Sequence, residues 1–210
     1  MPMSAEDPGK PNLPGKIDPR KILLQENAAL SWWRNSYRQA PSPLAFTRTQ
    51  GRFSGPELPH AVLYLGANAI ACFWESGLGR DLNDRMPVSR IISESDLKNR
   101  IEYRVRIKSK KLSLFNATDA VARRSLGAKT AACFLADHSV SRAWAKELMT
   151  TEVDGILYES TRHSPGLCLA LFETEAALAS LSLPIKVGSS YDNATLLAAL
   201  FQEGISIIGE

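Results

Sequence analysis

A chain of 210 residues with 25 Lys+Arg against 22 Asp+Glu carries a formal net charge of +3, far from the basic excess by which a dedicated nucleic-acid binder displaces counterions. Its length holds one good hydrophobic core with some chain left for an appendage. No apolar run reaches a bilayer span, and MPMSAEDPGKPNLPGKIDP has no signal-peptide core, so a soluble, cytoplasmic protein without membrane contact is expected.

In chain order, residues 1–19 are rich in Pro, Gly and charge and read as a flexible tail. Residues 20–40 place Leu23, Leu24, Ala28, Leu30, Trp32, Trp33 and Tyr37 in a helical context ended by Pro-Ser-Pro. This predicts an amphipathic helical extension with an aromatic end. LAFTRT (44–49) is a candidate strand and GRFSGPELPH a loop loaded with Gly and Pro. AVLYL then reads as a buried strand and ANAIACFWES as a helix capped by Asn68.

IEYRVRIK alternates Ile101, Tyr103, Val105 and Ile107 with Glu102, Arg104, Arg106 and Lys108, the pattern of a half-buried strand. LSLF is a short strand, NATDAVARRSLG a helix opened by Asn116 or Thr118 and closed by Gly127, and DHSVSRAWAKELMTT a helix capped by Asp137 or Ser139. VDGILYESTRHSPGLCLALFE reads as a hairpin, with strands over 155–160 and 167–172 and a turn at 164–166. A last helix over about 192–202 precedes the apolar ISII. Without a regular βα repeat, the order fits an α+β fold: a compact mixed β-sheet core flanked by helices.

The common catalytic signatures are absent: no Gly-x-Gly-x-x-Gly after a strand, no phosphate loop, no His-Glu-x-x-His and no Gly-x-Ser-x-Gly. His60, His138 and His163 are scattered. Cys72, Cys133 and Cys168 sit in apolar surroundings without zinc-type spacing, so they read as buried thiols and no metal is expected. Glu75 follows Phe73 and Trp74 directly, and a carboxylate among large apolar side chains costs several kcal/mol unless something pairs with it. Tyr158 and Ser160 share one face of their strand, while Arg48 and Arg52 flank a Gly-rich corner from which a guanidinium can neutralise Glu75 or grip phosphate. Each also has a purely structural reading: Tyr64 as core, Ser160 as a turn residue, Arg48 with Glu75 as an ion pair.

Together, F-T-R followed by R-F, the tyrosine of V-L-Y-L, a glutamate eleven residues later, and V-D-G-I-L-Y-x-S before a strand ending L-F resemble the RES-domain family, named for an Arg, a Glu and a Ser. The resemblance runs from about Leu44 to Phe172; residues 41–210 are read as the catalytic domain and 1–40 lie outside it. It implies an NAD+-consuming toxin of a bacterial toxin–antitoxin pair with an ADP-ribosyltransferase-like fold. Such a protein breaks the nicotinamide–ribose bond and passes ADP-ribose to a protein, to water or, in the alternative, to phosphate. The family's arginine maps to Arg48 or Arg52, its tyrosine to Tyr64, its glutamate to Glu75 and its serine to Ser160. Glu75, Ser160 and Arg48 are then the catalytic candidates, and Arg52, Tyr64 and Tyr158 join them in holding NAD+, with no metal. A cognate antitoxin covering the site is the implied partner, with a protein target possible. The chain departs from the Gly-Gly-Arg-Trp corner of many relatives in reading Gly51-Arg52-Phe53.

Two other classes compete. RVRIKSKK (104–111) with Arg123 and Arg124 would serve a nucleic-acid-directed toxin, although aromatics for base stacking are missing there except Tyr103. Trp32 and Trp33 would serve a non-catalytic interaction module.

Overall fold

The computed structural model describes residues 10–26, 31–76, 78, 90–108, 112–135, 138–162 and 166–209. Among the described residues the strands are β1 (Leu24–Glu26), β2 (Ser31–Tyr37), β3 (Val62–Gly66), β4 (Ile91–Ser93), β5 (Arg100–Arg106), β6 (Ser113–Asn116), β7 (Gly155–Glu159), β8 (Leu167–Phe172), β9 (Ile185–Ser189) and β10 (Ser206–Ile208). The helices include α1 (Ala69–Trp74), α2 (Glu94–Lys98), α3 (Ala120–Ser125), α4 (Ala132–Leu135), α5 (His138–Leu148), α6 (Glu175–Ser180) and α7 (Ala194–Gln202). Eight strands form one mixed sheet, β1-β6-β7-β8-β3-β2-β5-β9, and β10 pairs with β4 in parallel beside it. The expected mixed sheet flanked by helices is present.

The middle of the sheet is covered on both faces, which is why its strands read as nearly continuous apolar runs. On one face Val62, Phe115, Ile156, Tyr158, Cys168, Ala170 and Phe172 pack with Phe134, Trp144 and Leu148 of α4 and α5. On the other Leu63, Leu65, Leu114, Leu157, Leu169 and Leu171 pack with Trp32 and Val105. Neighbours along each strand thus serve opposite cores, as the period of two demands. A third cluster joins Phe73 and Trp74 of α1 to Leu97, Leu196 and Leu200 of α2 and α7. The hairpin is formed as expected: β7 and β8 pair antiparallel from Gly155↔Leu171 to Glu159↔Leu167. Residues 164 and 165 of its turn lie outside the described residues, as does Asp137.

Residues 20–40 correct the expectation of a helix. After a 3-10 turn at Pro19–Lys21 they form β1 and β2. β2 lies inside the sheet, in register with β5 along its whole length from Ser31↔Arg106 to Tyr37↔Arg100. Trp32 and Trp33 alternate between faces, Trp32 being buried in the core and Trp33 half-buried against Arg104. Long-range pairing overrode a helical pattern of leucines and alanines, and aromatic residues suit the pleat. The expected tail is likewise fastened where it is described. The Asn12 carbonyl accepts from the Trp144 indole at 2.8 Å, its Oδ1 accepts from the Lys129 amide at 2.9 Å, and its Nδ2 donates to the Gly127 carbonyl at 3.1 Å. Residues 1–9 lie outside the described residues. The strand expected at 44–49 is reduced to an isolated bridge, Thr47↔Val62.

Two local features fix α1 against the sheet. Asn68 caps the helix, accepting from the Ala71 amide at 2.7 Å, and a Cβ at Gly66 would meet the Cys72 amide nitrogen at 2.5 Å. A glycine there lets α1 lie directly on β3. β2 and β3 share only the pair Trp33↔Gly66 among the described residues, so the sheet parts below it.

Candidate active site

A cavity of about 390 Å³ occupies the parting of β2 and β3, walled by Arg34, Arg52, Tyr64, Glu75, Arg100 and Arg162 among others. Its size lies in the range of small-molecule pockets. Arg34, on β2, donates from Nη1 to the Tyr64 carbonyl at 3.1 Å and from Nε to the Pro43 carbonyl at 3.3 Å. A side chain there satisfies a carbonyl of β3 where the ladder has opened. Burial lowers the pKa of this guanidinium from its ordinary value, while the neighbouring Cys72 acts in the opposite direction.

Glu75 ends α1, and its side chain is 8% exposed. Oε1 accepts from the Ser160 hydroxyl at 2.7 Å and Oε2 from the Tyr158 hydroxyl at 3.1 Å, with Arg162 Nη1 at 3.9 Å from the same Oε2. The carboxylate sits at a helix carboxyl end, where the peptide dipoles disfavour it, and in a nearly dry site. Two hydroxyl donors and a guanidinium offset that cost. Burial first, and Glu75 next, push the Tyr158 phenol well above its usual value, so it stays protonated and remains a donor. Burial is also the largest cause raising Tyr64, whose hydroxyl accepts from the Phe53 amide at 2.9 Å and donates to Ser54 Oγ at 3.1 Å. Tyr64 thereby ties the 51–54 corner down over the cavity.

The sequence-predicted residues divide into three groups. Glu75, Ser160 and Tyr158 meet in direct hydrogen bonds. Arg52 and Tyr64 stand in the wall. Arg52 is buried, donating from Nη1 to the Leu135 carbonyl and from Nη2 to Thr161 Oγ1 at 2.8 Å, with its guanidinium 5.9 Å from the Tyr158 ring centre. Arg48 turns away to donate to the carbonyls of Leu58 at 2.7 Å and Pro59 at 3.1 Å, so it shapes the loop instead of walling the cavity. Among the described residues, the cation within 4 Å of Glu75 is Arg162, not Arg48 or Arg52.

Sequence reasoning missed Arg34, Arg100, Arg162 and His138. Arg162 lay in plain view two residues past Ser160, in Y-E-S-T-R. Arg34 was hidden by the helical reading of its segment. Cys72 accepts from the Asn35 amide at 3.0 Å, and burial pushes its thiol up to about 11, which leaves it inert. No group of three His, Cys, Asp or Glu residues that could hold a metal is found among the described residues.

A single dry carboxylate bracketed by hydroxyl donors, with guanidinium groups around it, is built to meet positive charge at one point and negative charge nearby. Residues 31–190 match the family profile described as "RES domain". No curated protein matches the chain. Among solved structures, a chain of the M. tuberculosis MbcT–MbcA toxin–antitoxin complex is similar in fold, with a TM-score of 0.56 at 18% identity over 86% of this chain and 91% of that one.

Proposed function

Since the chain belongs to the RES-domain family, we propose that it is the toxin of a toxin–antitoxin pair and cleaves the nicotinamide–ribose bond of NAD+, passing ADP-ribose to a protein or to water. The observation that carries this reading is the Glu75 carboxylate held by Ser160 and Tyr158 inside an arginine-walled cavity. Loss of nicotinamide leaves the ribose carbon cationic as the bond breaks, so catalysis requires negative charge fixed at that carbon. Glu75 supplies it, already stripped of most water, and its oxygens also accept from the ribose hydroxyls. Ser160 and Tyr158 hold the carboxylate in place, with the Arg162 guanidinium 3.9 Å from Oε2.

The rest of the wall suits a pyrophosphate. Arg52 lines the cavity, and its buried Nε has no acceptor among the described residues. Arg34 and Arg100 add positive charge on the same cavity. In this reading Arg52 binds the pyrophosphate and Arg48 supports the loop. The partner is an antitoxin that covers the cavity mouth and sets an acidic or carboxy-terminal segment against Arg52, a proposal encouraged by the likeness in fold to a chain of a toxin–antitoxin complex.

Mass spectrometry of the wild type and Glu75→Gln with NAD+ and cell lysate tests the reading. Nicotinamide release is expected to fall by about 10²- to 10³-fold in the variant, the scale of one lost electrostatic group, with melting unchanged. Retained turnover would remove Glu75 from the chemistry. Arg52→Ala is expected to raise KM for NAD+ far more than Arg48→Ala, a comparison of initial rates that separates the two arginines.

A further inference from the structure

Resting on the reading of the cavity as a NAD+-cleaving site, we propose that His138 is the general base that takes the proton from the acceptor, and that the acceptor is therefore a neutral O–H group, water or a side-chain hydroxyl. The reaction itself poses the question. The glycosidic C–N bond breaks and its electron pair leaves with neutral nicotinamide, while an acceptor oxygen forms the new bond to the ribose carbon and sheds its proton. That proton needs a destination.

Glu75 is a poor one. Both of its oxygens already receive hydrogen bonds, from Ser160 at 2.7 Å and Tyr158 at 3.1 Å, and Arg162 stands 3.9 Å away. Its oxygens are engaged by these donors, and its negative charge is the one placed to meet the cation that develops on the ribose. Tyr64 lines the cavity and Tyr158 bonds Glu75, and burial holds both phenols protonated. The arginines never serve as bases. Tyr37, a further phenol of the wall, is 59% exposed and lies under the Arg100 guanidinium, whereas His138 opens α5 and lines the same cavity as Glu75.

The charged groups facing it are Arg52 from the corner loop, Arg162 from the loop after β7, Arg142 from α5 itself and Glu75 from the end of α1. Burial is the largest cause lowering its pKa, the three arginines lower it further, and Glu75 opposes them. The imidazole is thus neutral and ready to accept near neutral pH. A dianionic phosphate acceptor would need no base, whereas water or a hydroxyl does.

The test measures nicotinamide release by the full-length wild type, His138→Gln and His138→Ala from about pH 5 to 9, with circular dichroism melts checking the fold. A wild-type kcat that falls on the acid side with a slope of one is expected. His138→Gln is expected to lower kcat about 100-fold with KM for NAD+ within about threefold, and to lose the acid limb. Added imidazole should partly restore His138→Ala. Free ADP-ribose identifies water as acceptor, and ADP-ribosylated serine, threonine or tyrosine identifies a side chain. A His138→Gln enzyme that keeps the wild-type kcat and acid limb, or that changes only KM, overturns the base assignment alone. ADP-ribose 1-phosphate as the main product in phosphate buffer overturns the acceptor class. A wild type that releases no nicotinamide overturns the proposal together with the reading it rests on.

Discussion

At the scale of single residues, the carboxylate of Glu75 depends on its two hydroxyl neighbours, and that dependence is measurable. Tyr158→Phe and Ser160→Ala each remove one donor from the same carboxylate. Each is expected to lower kcat about tenfold, roughly the 1.4 kcal/mol of one charge-assisted hydrogen bond. Because the two act on one group, the double variant should depart from the product of the singles. A double-mutant cycle on nicotinamide release checks this, and strict multiplicativity would mean that the donors act independently. The same trio was the most legible part of the sequence. Glu75 stood out as a charge beside Phe73 and Trp74, and the alternation of one strand placed Tyr158 and Ser160 together. Arg48 and Arg52 were indistinguishable there, because four residues of loop carry no periodicity to say which side chain faces inward; the carbonyls of Leu58 and Pro59 decided it.

At the scale of elements, α1 is placed by a single missing side chain. A Cβ at Gly66 would meet Cys72 backbone atoms at 2.5 and 2.7 Å, and backbone cannot yield as a flexible side chain does. Gly66→Ala is expected to destabilise by about 1–3 kcal/mol, as overpacking does, a fall of several degrees in Tm. It should also lower turnover more than stability explains, since α1 carries Glu75 and a misplacement of about 1 Å can cost 100-fold. Thermal melts beside initial rates separate the two effects. The elements also show where the sequence was opaque. Helices with side-chain caps at Asn68, Asp119, Thr174 and Asn193 carry local signals; three of these helices were found, although the cap expected at Asn116 or Thr118 is Asp119, whose carboxylate accepts from the Val121 and Ala122 amides. β2 has no local signal of comparable strength: its strand state comes from pairing with β5, some seventy residues away, and no window of its own sequence contains that partner.

At the scale of the whole molecule, the buried Glu102 connects the far wall of the fold to pH. It accepts from Asn193 Nδ2 at 2.7 Å, and Ser190 in turn accepts from Asn35 at 2.8 Å, which links β2, β5 and the cap of α7. Burial raises the Glu102 pKa above the ordinary carboxylate value, while Asn193 and Ser190 pull it down in part. The folded state therefore keeps a proton that the unfolded chain has released. Its contribution to stability is fully present below the ordinary glutamate value and is lost as pH rises through the folded one. Urea midpoints from about pH 4 to 8 should show this decline in wild type and lack it in Glu102→Gln. Parallel curves for the two proteins would assign the pH dependence to other groups.

The sheet order has a temporal consequence. Glu75 receives its hydroxyl donors from residues 83 and 85 positions further along the chain, and β8, the strand that joins β3 to β7, comes later still. At about 5–20 residues per second, a ribosome needs on the order of ten seconds to travel from one half of the site to the other. A nascent chain that stops short of β7 therefore carries Glu75 without either of its hydroxyl donors, and the site exists only once the later half of the sheet has been made.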